Sequence, residues 1–244
     1  MKGVILAGGT GSRLHPLTKV TNKHLLPVFN KPMIYYPLET LKALGITNIL
    51  IVSGKEHAEH FIGLFGSGRD YNVKLLYAVQ DEAGGIAQAL ALAEDFSESE
   101  PIAVILGDNV FEGCNEQFAA AARAFAAAPH GGKFFFKERQ DASRFGVAKI
   151  VDHKLVEIVE KPAKPDSKFA QVGFYLYKPM IFPHIKTLTP SARGELELTD
   201  LDNILVREGT ADFEILNGEW FDTGTLESLH RAHLYFAKKH FDAI

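Results

Sequence analysis

The chain opens on an uncharged run, Gly3-Val-Ile-Leu-Ala7, that passes directly into Gly8-Gly9-Thr10-Gly11-Ser12-Arg13. An apolar run without alternation marks a strand covered on both faces, as in a parallel sheet. The loop after it carries almost no side-chain bulk, so backbone N–H groups can close around an anion, and glycine supplies the positive φ such a concavity needs. Arg13 adds a fork of donors that suits phosphate oxygens, and Lys23 adds a compact point charge. The glycines alone are as compatible with a tight turn as with phosphate binding. They are not the dinucleotide fingerprint, because Leu14 stands where its third glycine belongs, and no Gly-Lys-Ser/Thr follows to make a Walker loop.

From this start, strands and helices alternate. A helix is expected over 31–44, with Ile34, Leu38 and Leu41 on one face and Pro37 marking a kink or a late start. Strands follow over 48–53, 73–80, 102–109 and 133–137, with helices over 56–65, after Gly84-Gly85, and over 114–128. This βαβα order predicts a doubly wound, Rossmann-like α/β fold with a mixed, mostly parallel sheet. Beyond residue 140 the pattern changes to antiparallel strands over 146–150, 154–160 and 170–177, a smaller lobe. A helix over 196–208, a strand over 213–216 and an amphipathic helix from Thr225 to about Phe241 complete the chain, the last with Leu226, Leu229, His233, Phe236 and His240 in one stripe.

Several side chains stand where such a sheet places its ligands. Gln80 ends a strand and carries donor and acceptor on one amide, which suits the edge of a pyrimidine base; Gly85 lets the backbone approach a flat ligand. Asp108 follows a buried strand and Asp222 lies in a polar turn. Each is a candidate to hold a divalent cation on a triphosphate, with helix or turn capping as the alternative for Asp108. Glu160 and Lys161 would point to opposite faces of a strand unless Pro162 turns the chain, and on the residues alone a surface ion pair is the better reading of them. Glu195 could simply complement a helix dipole. His57 and His60, three apart, read as solvent-exposed histidines because no further ligand is near in sequence.

Composition excludes some classes of partner. With 26 basic and 30 acidic residues the chain has a net charge of −4, so no global field draws it to nucleic acid or an anionic membrane. The single cysteine, Cys114, fits a reducing cytoplasm. No apolar run approaches the roughly 20 residues of a membrane span, and the glycine loop cuts the first apolar stretch short of a signal peptide.

The loop string GGTGSRLHPLT with NKHLLPV, followed by KPMIYYPL (31–38), GGIAQAL (84–90), ILGDN (105–109), RFGV (144–147), VEKP (159–162), GELELTD (194–200) and FDTGT (221–225), resembles the sugar-1-phosphate nucleotidyltransferases nearly end to end. The resemblance implies one domain over 1–244, with a nucleotide-binding half to about residue 140, a sugar-phosphate half over about 141–225 and a closing helix over 225–242. It implies Mg²⁺-dependent transfer of a thymidylyl group from dTTP to glucose 1-phosphate, or alternatively of a uridylyl or cytidylyl group to another hexose 1-phosphate, by a homo-oligomer. Gly8, Gly9, Thr10, Gly11, Gln80 and Gly85 would then bind nucleotide. Gly146, Glu160, Lys161, Val172 and Glu195 would bind the sugar phosphate. Arg13, Lys23 and Lys161 would be catalytic, and Asp108 and Asp222 would hold the metal. A catalytically silent nucleotide-sugar sensor could dispense with Arg13, Lys23 or an aspartate, yet all are present. Longer members of the family carry further C-terminal helices with a regulatory site; the expectation is that this chain lacks part of it and that dTDP-sugars inhibit only weakly, in competition with dTTP.

Overall fold

The computed structural model describes residues 1–242. Strand β1 (Lys2–Leu6) leads through three short 3-10 turns to β2 (Pro27–Val28), β3 (Lys31–Pro32) and α1 (Tyr35–Ala43). Then come β4 (Asn48–Gly54), α2 (Ala58–Phe65), β5 (Lys74–Gln80), α3 (Ile86–Ala91), α4 (Glu94–Ser97) and β6 (Ile102–Leu106). The next elements are β7 (Asn109–Glu112), α5 (Asn115–Ala127), β8 (Gly132–Glu138), β9 (Gly146–Val151), β10 (Lys154–Glu160) and β11 (Phe169–Tyr177). The chain closes with α6 (Ile181–Ile185), α7 (Leu198–Arg207), β12 (Ala211–Ile215), β13 (Glu219–Asp222) and α8 (Leu226–Phe241).

Among the described residues, nine strands form the central sheet. Its first part is parallel, β1 lying between β4 and β6 and β4 pairing with β5. Strand β11 reverses direction and pairs antiparallel with β6, β8 and β9; β10 extends β9, and β12 runs parallel to β8. The doubly wound α/β sheet expected from the sequence is thus present, with an antiparallel extension. Two small ladders, β7 with β13 and β2 with β3, lie beside it.

Helices cover both faces, which explains the uninterrupted apolar strands. In the run Phe134-Phe135-Phe136, alternation sends Phe134 and Phe136 into a core with α3, α6 and α7, and Phe135 into the opposite core with α1, α2 and α5. All three are fully buried, each burial being worth about 1.5–3 kcal/mol. On the α5 face Phe118 stacks on Phe174 with ring centroids 4.0 Å apart. Lys133, at the strand's start, is buried beside Asp212 (2.5 Å) and Glu214 (2.8 Å) of β12. A third core joins Leu14, Leu26, Val28, Met33 and Tyr36 to Leu229 and Ala232 of α8, whose first turn is closed by a reciprocal Thr225–Ser228 capping box.

The structure departs from the sequence reading at several boundaries. Lys31-Pro32 pairs with Pro27-Val28 instead of opening a helix, so α1 starts late and Pro37 sits in its first turn, where a missing N–H costs nothing. The strand expected over 102–109 stops at Leu106; after a turn at Gly107-Asp108 the chain re-enters a different ladder. The helix after Gly85 is interrupted between α3 and α4. Leu226 is exposed, so the buried stripe of α8 begins at Leu229. His57 and His60 stack on each other, centroids 5.6 Å apart, with His60 exposed and His57 half-buried. No helix among the described residues is long and apolar enough to cross a membrane.

Candidate active site

The ends of β1, β5, β6, β10 and β13 and the middle of β11 surround a cleft of about 630 Å³. On its β1 side the glycine loop turns through left-handed backbone at Gly9 (φ 91°) and Gly11 (φ 64°). Thr18 Oγ1 donates to the Gly11 carbonyl at 2.8 Å. Leu14, fully buried in the α8 core, anchors the 3-10 turn Ser12–Leu14 and leaves its neighbour Arg13 exposed along the cleft. A second 3-10 turn, Lys23–Leu25, is capped by Asn22, which accepts the His24 N–H at 2.8 Å. Burial, then the Lys23 charge, push the His24 imidazole down to about 3, so it is neutral and packs as a ring. A Cβ on Gly107 would stand 2.7 Å from His24 Cδ2. Only glycine fits there, and the chain emerges with Asp108 against Lys23: Lys23 Nζ donates to Asp108 Oδ2 at 2.5 Å.

Asp108 and Asp222 are brought together by the β7–β13 ladder, in which Asn109 is opposite Asp222. Thr223 donates its N–H (2.9 Å) and hydroxyl (2.7 Å) to the Asp108 carbonyl. The Asn109 amide ties the region together. Its Nδ2 donates to Asp108 Oδ1 (3.1 Å), while its Oδ1 accepts from Gly173 N–H (3.0 Å) and Trp220 Nε1–H (2.6 Å). Asp222 accepts from Arg144 Nη2 at 3.2 Å. Burial alone would raise the Asp108 carboxyl, but the Lys23 ammonium overrides it and holds the group well below the usual carboxylate range. Asp222 goes the other way, raised by burial and then by the charge of Asp108. A buried carboxylate and a half-buried one that repel one another suit a cation between them. Among the described residues no group of three or more His, Cys, Asp or Glu could hold a metal by itself. The fit is therefore to a hard divalent ion that takes its remaining ligands from phosphate and water.

Across the cleft, β10 ends at Glu160, and Lys161 takes φ 43° with its N–H on the Phe145 carbonyl at 3.0 Å. Left-handed backbone at a lysine costs roughly 1 kcal/mol or more. It places successive side chains on the same cleft instead of opposite faces, with Lys161 Nζ donating to Glu160 Oε1 at 2.6 Å. Arg193 bridges Glu160 (3.0 Å) and Glu197 (2.8 Å) and lies 3.9 Å from Glu195. Beside them Gly146 has no room for a side chain, since a Cβ would come within 2.9 Å of Thr199 Cγ2 and 3.0 Å of Gln171 Oε1. Thr199 Oγ1 is buried, lines this wall and has no hydrogen-bond partner among the described residues.

At the β5 end, Gln80 spends its NH₂ on the Gly85 carbonyl (3.1 Å) and Gln88 Oε1 (2.7 Å). Its own Oε1 is left as an acceptor near Gly8, in the cleft. The glycines at 84–85 answer to protein contacts more than to a flat ligand. A Cβ on Gly84 would run into the Gln88 side chain, and one on Gly85 into the Leu196 backbone at 2.5 Å. Two backbone hydrogen bonds, Leu196 N–H to Gly84 O (2.8 Å) and Ala87 N–H to Leu196 O (3.1 Å), stitch this loop to the one that carries Glu195.

Residues 2–239 match the model of the nucleotidyl transferase family. The chain belongs to that family. Among relatives, a glucose-1-phosphate thymidylyltransferase of Neisseria meningitidis is 42% identical over 235 residues, 95% of this chain and 81% of the relative. One of Xanthomonas campestris is 42% identical over 234 residues, 95% of this chain and 79% of its own. A Bacillus anthracis protein assigned as a glucose-1-phosphate thymidylyltransferase, in a crystal structure with sucrose, superposes with a TM-score of 0.91 at 48% identity over 96% of this chain and 94% of that one. A UDP-glucose pyrophosphorylase in complex with UDP-glucose superposes with a TM-score of 0.86 over 98% of each chain; at 23% identity it shares the fold.

For a nucleotidyl transferase, the placement of the expected residues is informative. Gly8, Gly9, Thr10, Gly11, Arg13, Lys23, Gln80, Gly85, Asp108, Gly146, Glu160, Lys161, Glu195 and Asp222 all line one cleft. Val172 does not: its side chain is fully buried in the core, and its neighbours Gln171 and Gly173 face the cleft. Sequence reasoning missed Arg144, Asn109, Gln171, Arg193 and Thr199. Arg144, Asn109 and Thr199 lay inside the quoted strings RFGV, ILGDN and GELELTD, whereas Gln171 and Arg193 had no motif to mark them.

Proposed function

We propose that this nucleotidyl transferase moves a thymidylyl group from dTTP to glucose 1-phosphate, giving dTDP-glucose and pyrophosphate. The observation that carries the reading is a single cleft with the glycine loop and Arg13 on one side, Glu160 and Lys161 on the other, and Asp108 with Asp222 between them. The names of the thymidylyltransferase relatives supply the substrates.

Each group has a task that follows from its chemistry. The Gln80 oxygen, fixed as an acceptor by two contacts on its nitrogen, faces a donor such as the imide N3–H of thymine or uracil and rejects cytosine, whose N3 is itself an acceptor. The backbone N–H groups of residues 8–11 and Arg13 hold the departing pyrophosphate, and Lys23 neutralises the triphosphate. Lys161 holds the phosphate of the sugar, and Glu160 accepts from a sugar hydroxyl. Asp108 and Asp222 would hold a divalent cation, Mg²⁺, which when bound neutralises charge on the triphosphate. The attacking oxygen is already charged at neutral pH, so positioning and charge neutralisation supply the rate without a general base.

The test is pyrophosphate release over a grid of nucleoside triphosphates and hexose 1-phosphates. dTTP with glucose 1-phosphate should turn over fastest and CTP should be poor; Gln80→Ala should blur the choice among bases while leaving glucose 1-phosphate saturation unchanged. Fast turnover with CTP or a purine nucleotide would overturn the base assignment.

A further inference from the structure

Gln171 is a polar residue in a strand that both faces of the molecule cover. Its neighbours Ala170 and Val172 are fully buried in the α5-side core, so strand alternation turns Gln171 to the opposite face, toward the cleft and α7. There it is itself 94% buried, a placement that requires its amide to be satisfied. One half of the amide is: Gln171 Nε2 donates to Asp202 Oδ2 at 2.7 Å. Asp202, fully buried on α7, accepts on its other oxygen from the Tyr177 hydroxyl at 2.6 Å. The other half of the amide, Oε1, makes no hydrogen bond to protein among the described residues and points to the Cβ-free face of Gly146. Asp202 holds this orientation in either protonation state. Ionised, its carboxylate only accepts; protonated, it can give its proton to the Tyr177 oxygen and still accept from Gln171.

The wall around Gln171 Oε1 narrows what it meets. Thr199 Oγ1, buried and without a partner among the described residues, and the Glu160 carboxylate lie along it in the same cleft. A carbonyl oxygen and a carboxylate repel phosphate and accept from neutral donors, while Lys161 next to them attracts the phosphate. The matching ligand group is a ring hydroxyl.

We propose that Gln171 is a specificity residue whose Oε1 accepts a hydrogen bond from one ring hydroxyl of the sugar 1-phosphate, and that Asp202 is the positioning residue that fixes the amide for it. The assignment rests on the sugar 1-phosphate reading of the cleft.

The test uses the whole chain, saturating dTTP, and glucose 1-phosphate beside its 2-, 3-, 4- and 6-deoxy analogues, with kcat/KM measured for each. Wild-type enzyme should lose about tenfold or more for the analogue lacking the recognised hydroxyl. In Gln171→Met, close in volume, that penalty should collapse to within about twofold at this one position, with the other penalties and the KM for dTTP kept. Asp202→Leu, which offers the amide no acceptor, should reproduce the collapse. Asp202→Asn should retain the wild-type pattern, because its carbonyl can face Gln171 and its NH₂ the Tyr177 oxygen. Tyr177→Phe separates stability from recognition: it should lower Tm and keep the deoxy pattern. Should Gln171→Met not fold, Gln171→Leu and the Asp202 pair decide the matter. Retention of every penalty in a folded, active Gln171→Met enzyme would overturn the assignment and leave Gln171 a filler of the sheet. Failure of wild-type enzyme to release pyrophosphate with any hexose 1-phosphate would overturn the sugar-phosphate reading itself.

Discussion

At the scale of single residues, Lys23 and Asp108 form a largely buried pair that also lines the cleft, and Asp222 stands beside it with a carboxyl that burial and Asp108 both disfavour as an anion. Such a pair is costly to keep for stability alone. Asp108→Asn and Asp222→Asn should each keep the fold, Asp108→Asn with the larger fall in Tm because it leaves Lys23 unpaired, and each should lower kcat/KM by at least about 100-fold, roughly 2.7 kcal/mol of transition-state stabilisation. A variant with near wild-type turnover would reduce that aspartate to a turn-forming residue. These positions were legible in the sequence because each sits where a buried strand or polar turn ends, and a local string is enough to mark it. Gln171 was not legible. Whether residue 171, 172 or 173 meets the cleft depends on which face of β11 looks inward, and a shift of one residue exchanges the faces. Arg193 escaped for a related reason: its partners Glu160 and Glu197 come from two separate elements.

At the scale of elements, α7 shows how a helix serves both core and cleft. It buries Leu198, Leu201 and Leu205 while sending Asp202 under the sheet, where burial raises the carboxyl from 3.8 to about 7. A carboxyl that binds its proton more tightly when folded favours the native state at low pH, and that contribution is lost as pH rises from about 4 to about 7. The stability of Asp202→Asn relative to the parent, from urea unfolding at a series of pH values, should therefore increase across this window by an amount on the order of a few kcal/mol and stay flat above it. A difference independent of pH would mean that Asp202 ionises in the folded protein as freely as in water. The helices and strands themselves were largely visible as apolar patterns. Their breaks were not: the turn at Gly107-Asp108 exists because His24 fills the space a longer strand would use, a contact between residues more than 80 positions apart. Likewise Gly85 is explained by the Leu196 backbone, which no local pattern announces.

At the scale of the molecule, the parallel part of the sheet carries the glycine loop and Gln80, and the antiparallel extension carries Gly146, Glu160 and Gln171; β11 joins the two, and the aspartate pair stands beside it, tied through Asn109. The alternating half was readable from βαβα order. The pairing of β11 with β6, β8 and β9 was not, because antiparallel pairing partners far apart in sequence leave no mark on periodicity. On the proposed reading this one cleft takes both a nucleotide and a sugar phosphate, the sugar phosphate would attack the α-phosphorus directly, and Arg13 and Lys23 would draw the pyrophosphate away. Stereochemistry tests that step. With dTTP carrying sulfur at the α-phosphorus in one configuration, and the product's configuration read by phosphorus NMR, a single in-line displacement gives inversion. Retention would require two displacements through a covalent nucleotidyl-enzyme, and would contradict direct transfer between the two bound substrates.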